Sequence, residues 1–187
     1  MDPKTIRRSV GRLFLLGVLG TVGGCERAPE AQLEHPADAA VVTTDDGPSG
    51  AKMAPAHTFQ TLDGEDVTFA DLAGDIAVVN LWGTWCLPCR RELPELAELA
   101  DAYAERGVRI IGVAVDSGQP EDIRMFLEEF GIEYPIWLTG METAIGKFGA
   151  VGFPFTMIVD REGWIRKEYL GPQTFESLSA EIDALLE

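Results

Sequence analysis

The sequence predicts an α/β domain in which a central mixed β-sheet is flanked by helices and extended by an additional N-terminal β-hairpin. Three observations point there. The run Ile76–Trp82, IAVVNLW, is almost continuously apolar, as expected of a strand covered by helices on both faces. Strand-like and helix-like periods alternate after it. Short strand-like runs are separated by turn signals such as Asp63-Gly64 and DREG.

Taken in order, HTFQTLDGEDVTFADL reads as two short strands around the Asp63-Gly64 turn, which makes the hairpin. Ile76–Trp82 is the first long strand. Residues 87 to 105 then read as a helix with a stripe at Glu92, Leu96, Leu99 and Tyr103. VRIIGVAV is the next strand and residues 120 to 130 the next helix, a β-α-β-α progression. A short helix is expected around 141 to 148, strands near 155 to 159 and 164 to 169, and a final helix from about 173 to 186. That last helix places Phe175, Leu178, Ile182 and Leu185 on one face.

The chain has 187 residues, enough for one domain with accessory segments. Its formal charge of -16 argues against nucleic acid or an anionic membrane surface as the main partner. Three cysteines are too few for a disulfide-rich scaffold, so the fold must rest on an ordinary hydrophobic core, expected as a monomeric soluble domain.

The N-terminus has a different character. Lys4, Arg7, Arg8 and Arg12 precede LFLLGVLGTVGG, which is short for a bilayer span and placed like the core of a signal peptide. Val22, Gly23 and Gly24 stand directly before Cys25, an arrangement that resembles a bacterial lipobox. That resemblance implies cleavage before Cys25 and acylation of its thiol, with several chains giving durable attachment. Simple secretion and an uncleaved anchor are the alternatives. Glu26 after the cysteine leans toward the outer membrane over the cell membrane, with the catalytic domain in the periplasm or otherwise outside the cytoplasm. Cleavage removes four basic residues and one acidic residue, leaving 11 basic and 30 acidic side chains and a formal charge of -19. The expected organisation is a signal peptide at 1-24, a lipidated cysteine and flexible linker at 25-54, and the folded domain at 55-187. The linker lacks a sustained apolar period and has little area to bury against chain entropy.

Chemistry concentrates in NLWGTWCLPCRRELPEL, residues 80 to 96. Cys86 follows the strand and opens the helix, so its sulfur should sit near unpaired helix N–H groups and the positive end of the dipole. Both favour thiolate, which makes Cys86 the attacking thiol. Cys89, one turn on, is placed to attack a mixed disulfide at Cys86 and release the partner. Leu87 and Pro88 tune the pair, and Pro88 fits the first turn without losing an intrahelical bond. Structural zinc would need four donors, and His35 and His57 are poorly placed to complete a set. Haem attachment would need histidine where Arg90 stands. A permanent structural disulfide closing so short a loop gains little chain entropy. Redox exchange therefore leads, and it requires no bound metal or organic cofactor.

Glu92 heads the apolar stripe one turn below Cys89. If partly buried, it would be raised toward neutrality and exchange a proton with Cys89; the plainer reading is a first-turn acid favoured by the dipole. Farther along, VGFPFTMIVD places Pro154 before a strand. A turn proline is the ordinary reading, and an edge where the Phe153 backbone pairs with a partner strand is the functional one. Trp85 is expected on the rim of the site, Trp82 and Phe69 in the core. Asp116, after GVAV, is read as a loop acid or as an acid near the site.

Trp82, Gly83, Trp85, the paired cysteines, Glu92, Pro94 and the later Gly152-Phe153-Pro154 together resemble the membrane-associated thioredoxin-like thiol-disulfide oxidoreductases of the TlpA, ResA and CcmG type, across roughly residues 55 to 187. The resemblance implies a thioredoxin-like fold with the extra hairpin, a cis Pro154, a nucleophilic Cys86, a resolving Cys89 and Glu92 as the nearby acid. It implies reductase work outside the cytoplasm on exported disulfide proteins, including the CxxCH segment of apocytochrome c, with a membrane thiol electron donor. Asn80 departs from the buried aspartate of cytoplasmic thioredoxins, Leu87 from their glycine, and Phe153 is bulkier than the usual neighbour of the docking proline. A peroxiredoxin-like peroxidase shares the hairpin-bearing fold, but Gly83, three residues before Cys86, has no hydroxyl to offer peroxide. Oxidase or isomerase direction and a non-enzymatic binding module are the remaining readings.

Overall fold

The computed structural model describes residues 40–42 and 52–187. Cys25, the expected signal peptide and most of the expected linker lie outside the described residues.

Among the described residues, nine strands form one sheet. Two short edge strands come first, β1 (Ala40–Val42) and β2 (Lys52–Met53). The hairpin β3 (Phe59–Thr61) and β4 (Asp66–Val67) leads through a 3-10 turn at Phe69–Leu72 to β5 (Ile76–Trp82). Then come α1 (Leu87–Tyr103), β6 (Val108–Val115), α2 (Pro120–Phe130), β7 (Ile136–Thr139) and α3 (Met141–Gly146). The chain closes with β8 (Phe155–Val159), β9 (Trp164–Leu170) and α4 (Phe175–Leu186). The order across the sheet is β1-β9-β8-β5-β6-β7-β3-β4, with β2 also on β9. β5, β6 and β7 run parallel to one another, whereas β8 and β3 join that block antiparallel. The mixed sheet and flanking helices are as the sequence predicts.

β5 is buried at all seven positions because both of its faces are covered. Ile76, Val78 and Trp82 join one apolar layer with residues of α1, α2 and α4. Ala77, Val79 and Leu81 join a second with Ala144 of α3 and Phe148. The period-two alternation of the strand thus divides one apolar run between two cores. α1 buries Cys89, Glu92, Leu93, Leu96, Leu99 and Tyr103, and Leu178 and Ile182 of α4 belong to the same layer. No helix among the described residues is long and apolar enough to cross a membrane.

The strand and helix bounds differ from expectation in a few places. β7 was not anticipated; its four residues follow Pro135 and are too short to display a period, and pairing with β6 and β3 secures them. Within the segment expected as linker, residues 40–42 and 52–53 pair with β9. Backbone ladders of two or three residues need no apolar pattern, so composition gives no sign of them. α1 ends at Tyr103 rather than 105, and α4 starts after Thr174, whose side chain accepts from the Ser177 N–H.

Gly112 in β6 lies under three larger side chains. A methyl there would come within 2.7 Å of Ile136 Cδ1, 2.9 Å of Trp82 Nε1 and 3.0 Å of Tyr134 Cε2. Gly112→Ala is expected to lower unfolding stability by about 1–3 kcal/mol, measured by urea denaturation of the oxidised protein. A variant of unchanged midpoint would show that this layer repacks freely.

Candidate active site

The turn between β5 and α1 is tied down on both sides. Thr84 N–H donates to Ser117 Oγ (3.2 Å) and the Thr84 hydroxyl to Ser117 O (3.3 Å), while Ser117 Oγ donates to Val115 O (3.1 Å). The Trp85 indole N–H donates to Val115 O at 3.0 Å. From the helix side, Arg90 gives two hydrogen bonds to Thr84 O, at 2.7 and 3.3 Å, and lays its guanidinium 5.3 Å from the Phe126 ring centre. Gly83 permits this fold-back, since a Cβ there would meet the Trp85 indole at 2.5 Å. The carboxyl end of β6 and the first turn of α1 therefore hold the backbone that presents Cys86.

Cys86 is the N-cap of α1, in extended backbone, with Pro88 in the first turn. Its sulfur accepts the Cys89 N–H at 3.3 Å, the contact by which a helix N-terminus would stabilise thiolate. Cys86 and Cys89 are joined in a disulfide. The two residues are unequal in access: Cys86 is 5% exposed and Cys89 fully buried. A partner thus reaches Cys86 first.

Around Cys86, Leu87 is exposed, Pro88 partly buried and Trp85 about half exposed, as a rim requires. Phe153 stands edge-on to Trp85, ring centres 5.4 Å apart, and the Phe153–Pro154 peptide is cis. The fold therefore sets Phe153 against Trp85, the neighbour of Cys86, and the cis Pro154 is as the sequence resemblance implies. Trp82 is wholly buried and Phe69 packs on the core.

Beneath the disulfide, Glu92 is 1% exposed. Oε2 accepts from Asn80 Nδ2 at 2.9 Å; Oε1 accepts from the Gln173 N–H at 2.9 Å and more weakly from the Thr156 hydroxyl at 3.5 Å. Asn80 Nδ2 also donates to Thr156 Oγ1 at 2.8 Å. Burial raises the Glu92 carboxyl from 4.5 to about 7, opposed by the hydrogen bonds from Gln173, Asn80 and Thr156. The nearby Tyr134 phenol is buried and pushed up, first by desolvation and then by the Glu92 charge. The environment is that of an acid poised to gain or lose a proton near neutral pH.

Other sequence candidates lie elsewhere. Asp116 follows β6 with φ 41° and its carboxylate accepts from the Met141 N–H at the first residue of α3. His57 packs edge-on to Phe59 at 4.7 Å and is lowered by burial and then by Lys147. No group of three or more His, Cys, Asp or Glu among the described residues is arranged to hold a metal ion. A cavity of about 760 Å³, bounded by Met53–Thr58, the 3-10 turn and the β8–β9 turn, shares no lining residue with the cysteine site. Sequence reasoning passed over Thr84, Arg90, Ser117, Tyr134, Thr156 and Gln173. A threonine inside FTMIV was a usable signal, whereas Gln173 acts through its backbone and leaves no side-chain trace.

The AhpC/TSA family profile matches residues 51–168. The chain is 32% identical over 127 residues to the thiol-disulfide oxidoreductase ResA of Bacillus thuringiensis (strain Al Hakam), covering 68% of this chain and 73% of that one. It is likewise 32% identical over 133 residues to ResA of Geobacillus thermodenitrificans (strain NG80-2), covering 71% and 75%. Among solved structures, it is similar to a thioredoxin-family thiol:disulfide interchange protein from Chlorobium tepidum TLS. The TM-score is 0.64 at 27% identity, covering 73% of this chain and 97% of the other. A DsbF homologue from Corynebacterium diphtheriae gives 0.69 at 26% identity, covering 82% and 98%.

Between pH 4.5 and about 7 the folded chain keeps a proton on Glu92 that the unfolded chain has released. Stability should therefore fall as pH rises through this window, by a total on the order of 3 kcal/mol. Glu92→Gln removes that part of the slope, so the difference in unfolding free energy between variant and parent should widen from pH 5 to pH 8 in the variant's favour. Parallel pH curves would show Glu92 to titrate alike in both states.

Proposed function

The chain belongs to the AhpC/TSA family and to the ResA thiol-disulfide oxidoreductases, and from this we propose that it reduces disulfides of exported proteins outside the cytoplasm. The observation that carries the reading is the unequal cysteine pair at the start of α1 with a buried carboxyl beneath it. Cys86 thiolate attacks one sulfur of a partner disulfide, whose S–S bond breaks; a mixed disulfide forms and the partner's other sulfur leaves as thiolate. Cys89 then gives its proton to Glu92, and its thiolate attacks the Cys86 sulfur. The mixed disulfide breaks, Cys86 and Cys89 become joined, and the partner leaves as a dithiol after taking up two protons. Two electrons have passed to the partner. A membrane dithiol donor runs the same steps backward on Cys86–Cys89 and restores both thiols.

Trp85, Leu87 and Pro88 give the partner an apolar rim, and the backbone at Phe153 and Pro154 gives it an edge to pair with. The bulk of Phe153 against Trp85 favours an extended segment, such as the CxxCH stretch of apocytochrome c, over a folded surface. Lipidation at Cys25 would tether the domain to the cell membrane or outer membrane, with the linker letting it search for partners. No metal or organic cofactor takes part in these steps. A peroxidase reading lacks a hydroxyl donor at Gly83.

Cys89→Ser is expected to accumulate a mixed disulfide with a CxxCH peptide disulfide, and Cys86→Ser to form none, as read by non-reducing electrophoresis and mass spectrometry. The reverse pattern would exchange the two roles. Equilibrated against glutathione or dithiothreitol, the pair should fall near about -270 mV or below; a value near about -120 mV would make the protein an oxidant and sink the reductase assignment.

In a bacterial host, Cys25→Ala should move the full chain from the membrane fraction to the soluble exported fraction. Unchanged fractionation, with no acyl mass on residue 25 of the parent, would remove the lipid anchor.

A further inference from the structure

Asn80 sits in β5 where the alternation otherwise places Ile76, Val78 and Trp82, and it faces Thr156 of β8 across the antiparallel ladder. It is fully buried. One end of its amide is used twice, Nδ2 to Glu92 Oε2 and to Thr156 Oγ1, while Oδ1 is buried without a hydrogen-bond partner among the described residues. Every contact at the Glu92 carboxyl is a donor: the Asn80 amide, the Gln173 N–H and the Thr156 hydroxyl. Three donors suit a carboxylate. A carboxylic acid carries an O–H and needs an acceptor, which a backbone N–H cannot be.

A half-turn of the Asn80 amide exchanges its two ends and puts Oδ1 where Nδ2 now faces Oε2. The Thr156 hydroxyl follows by rotating. Each orientation leaves one amide end unpartnered, Oδ1 when Glu92 is ionised and Nδ2 when it is protonated. Aspartate here could not donate to an ionised Glu92, and leucine could neither donate nor accept.

The titratable groups around this cluster are few. The cysteine pair lies on α1 with Glu92, Tyr134 comes from the segment before β7, and the β8 and pre-α4 contacts are the neutral Thr156 and Gln173. Glu95, next on α1, accepts the Phe175 N–H. Among the described residues Glu92 makes no ion pair.

We propose that Asn80 is a positioning residue for proton transfer, its amide donating to the Glu92 carboxylate and, after a half-turn, accepting from the carboxylic acid, so that the carboxyl keeps one place in both states. This rests on the proton role given to Glu92 above.

The test follows glutathione release from the Cys86–glutathione mixed disulfide against pH, in the parent, Asn80→Leu, Glu92→Gln and the double variant. Release in the parent should rise with a midpoint near 7. Asn80→Leu should move the midpoint up by about one pH unit, because the charge-assisted bond lost by the carboxylate is stronger than the neutral one lost by the acid. Glu92→Gln should abolish that titration, and Asn80→Leu should add no shift in its presence. An unshifted midpoint in Asn80→Leu, or the same shift with and without Glu92, would overturn the role of Asn80 alone. A Glu92→Gln profile identical to the parent's would instead remove the proton role and the inference with it. Should Asn80→Leu fail to fold, the parent protein decides by NMR. The Asn80 side-chain amide signals must move with the same midpoint as the Glu92 carboxyl carbon, and static amide signals would overturn the proposal.

Discussion

A carboxyl group taken almost wholly out of water is the constraint around which this domain is arranged. Desolvating Glu92 is costly unless donors replace the lost water, and no single element supplies them. β5 contributes Asn80, β8 contributes Thr156, and the segment before α4 contributes the Gln173 backbone. The acid itself stands on α1. Four parts of the chain, spread from residue 80 to residue 173, converge on one side chain, so the sheet and the helix pair above it must be assembled before the acid has its environment.

The same assembly makes the cysteines unequal. α1 is pinned from below by its apolar stripe and from the side by Arg90 and by the Thr84–Ser117 contacts. Its N-cap, Cys86, is consequently held at the edge of the core while Cys89, three residues on, is fully buried. Cys89 is thus a core residue that happens to carry chemistry, packed in the same layer as Leu93 and Leu96. Cys86 belongs to the same layer but occupies the cap position, where backbone N–H groups are available and a small area stays exposed. Strand exit, helix cap and helix stripe are ordinary devices; their succession within ten residues makes a reactive thiol next to a protected one.

Much of this was legible in the sequence. The two long parallel strands have the bounds that IAVVNLW and VRIIGVAV suggest, because a strand covered on both faces is largely apolar and stands out from its flanks. The placement of Cys86, Cys89 and Glu92 at the start of α1 was legible from spacing, since position on a helix is a local property. β7 and the edge strands β1 and β2 were not found, because they are too short for a period and are secured by pairing with distant residues. Asn80 was visible as an oddity in an apolar strand, but its partners were not. Thr156 lies 76 residues away in the chain, and only the ladder between β5 and β8 brings the two together.

That ladder has a consequence for how the chain tolerates insertions. Side chains of β8 alternate between the two layers, so pairing β8 with β5 one residue out of register would turn Thr156 away and offer Phe155 or Met157 in its place. Such a slip would also set an aromatic or thioether beside a buried carboxyl, leaving it short of a donor. Misregistered chains are thereby penalised electrostatically as well as sterically. The buried carboxyl thus disfavours a slipped pairing, and length changes between α3 and β8 are best absorbed in the loop before Phe155.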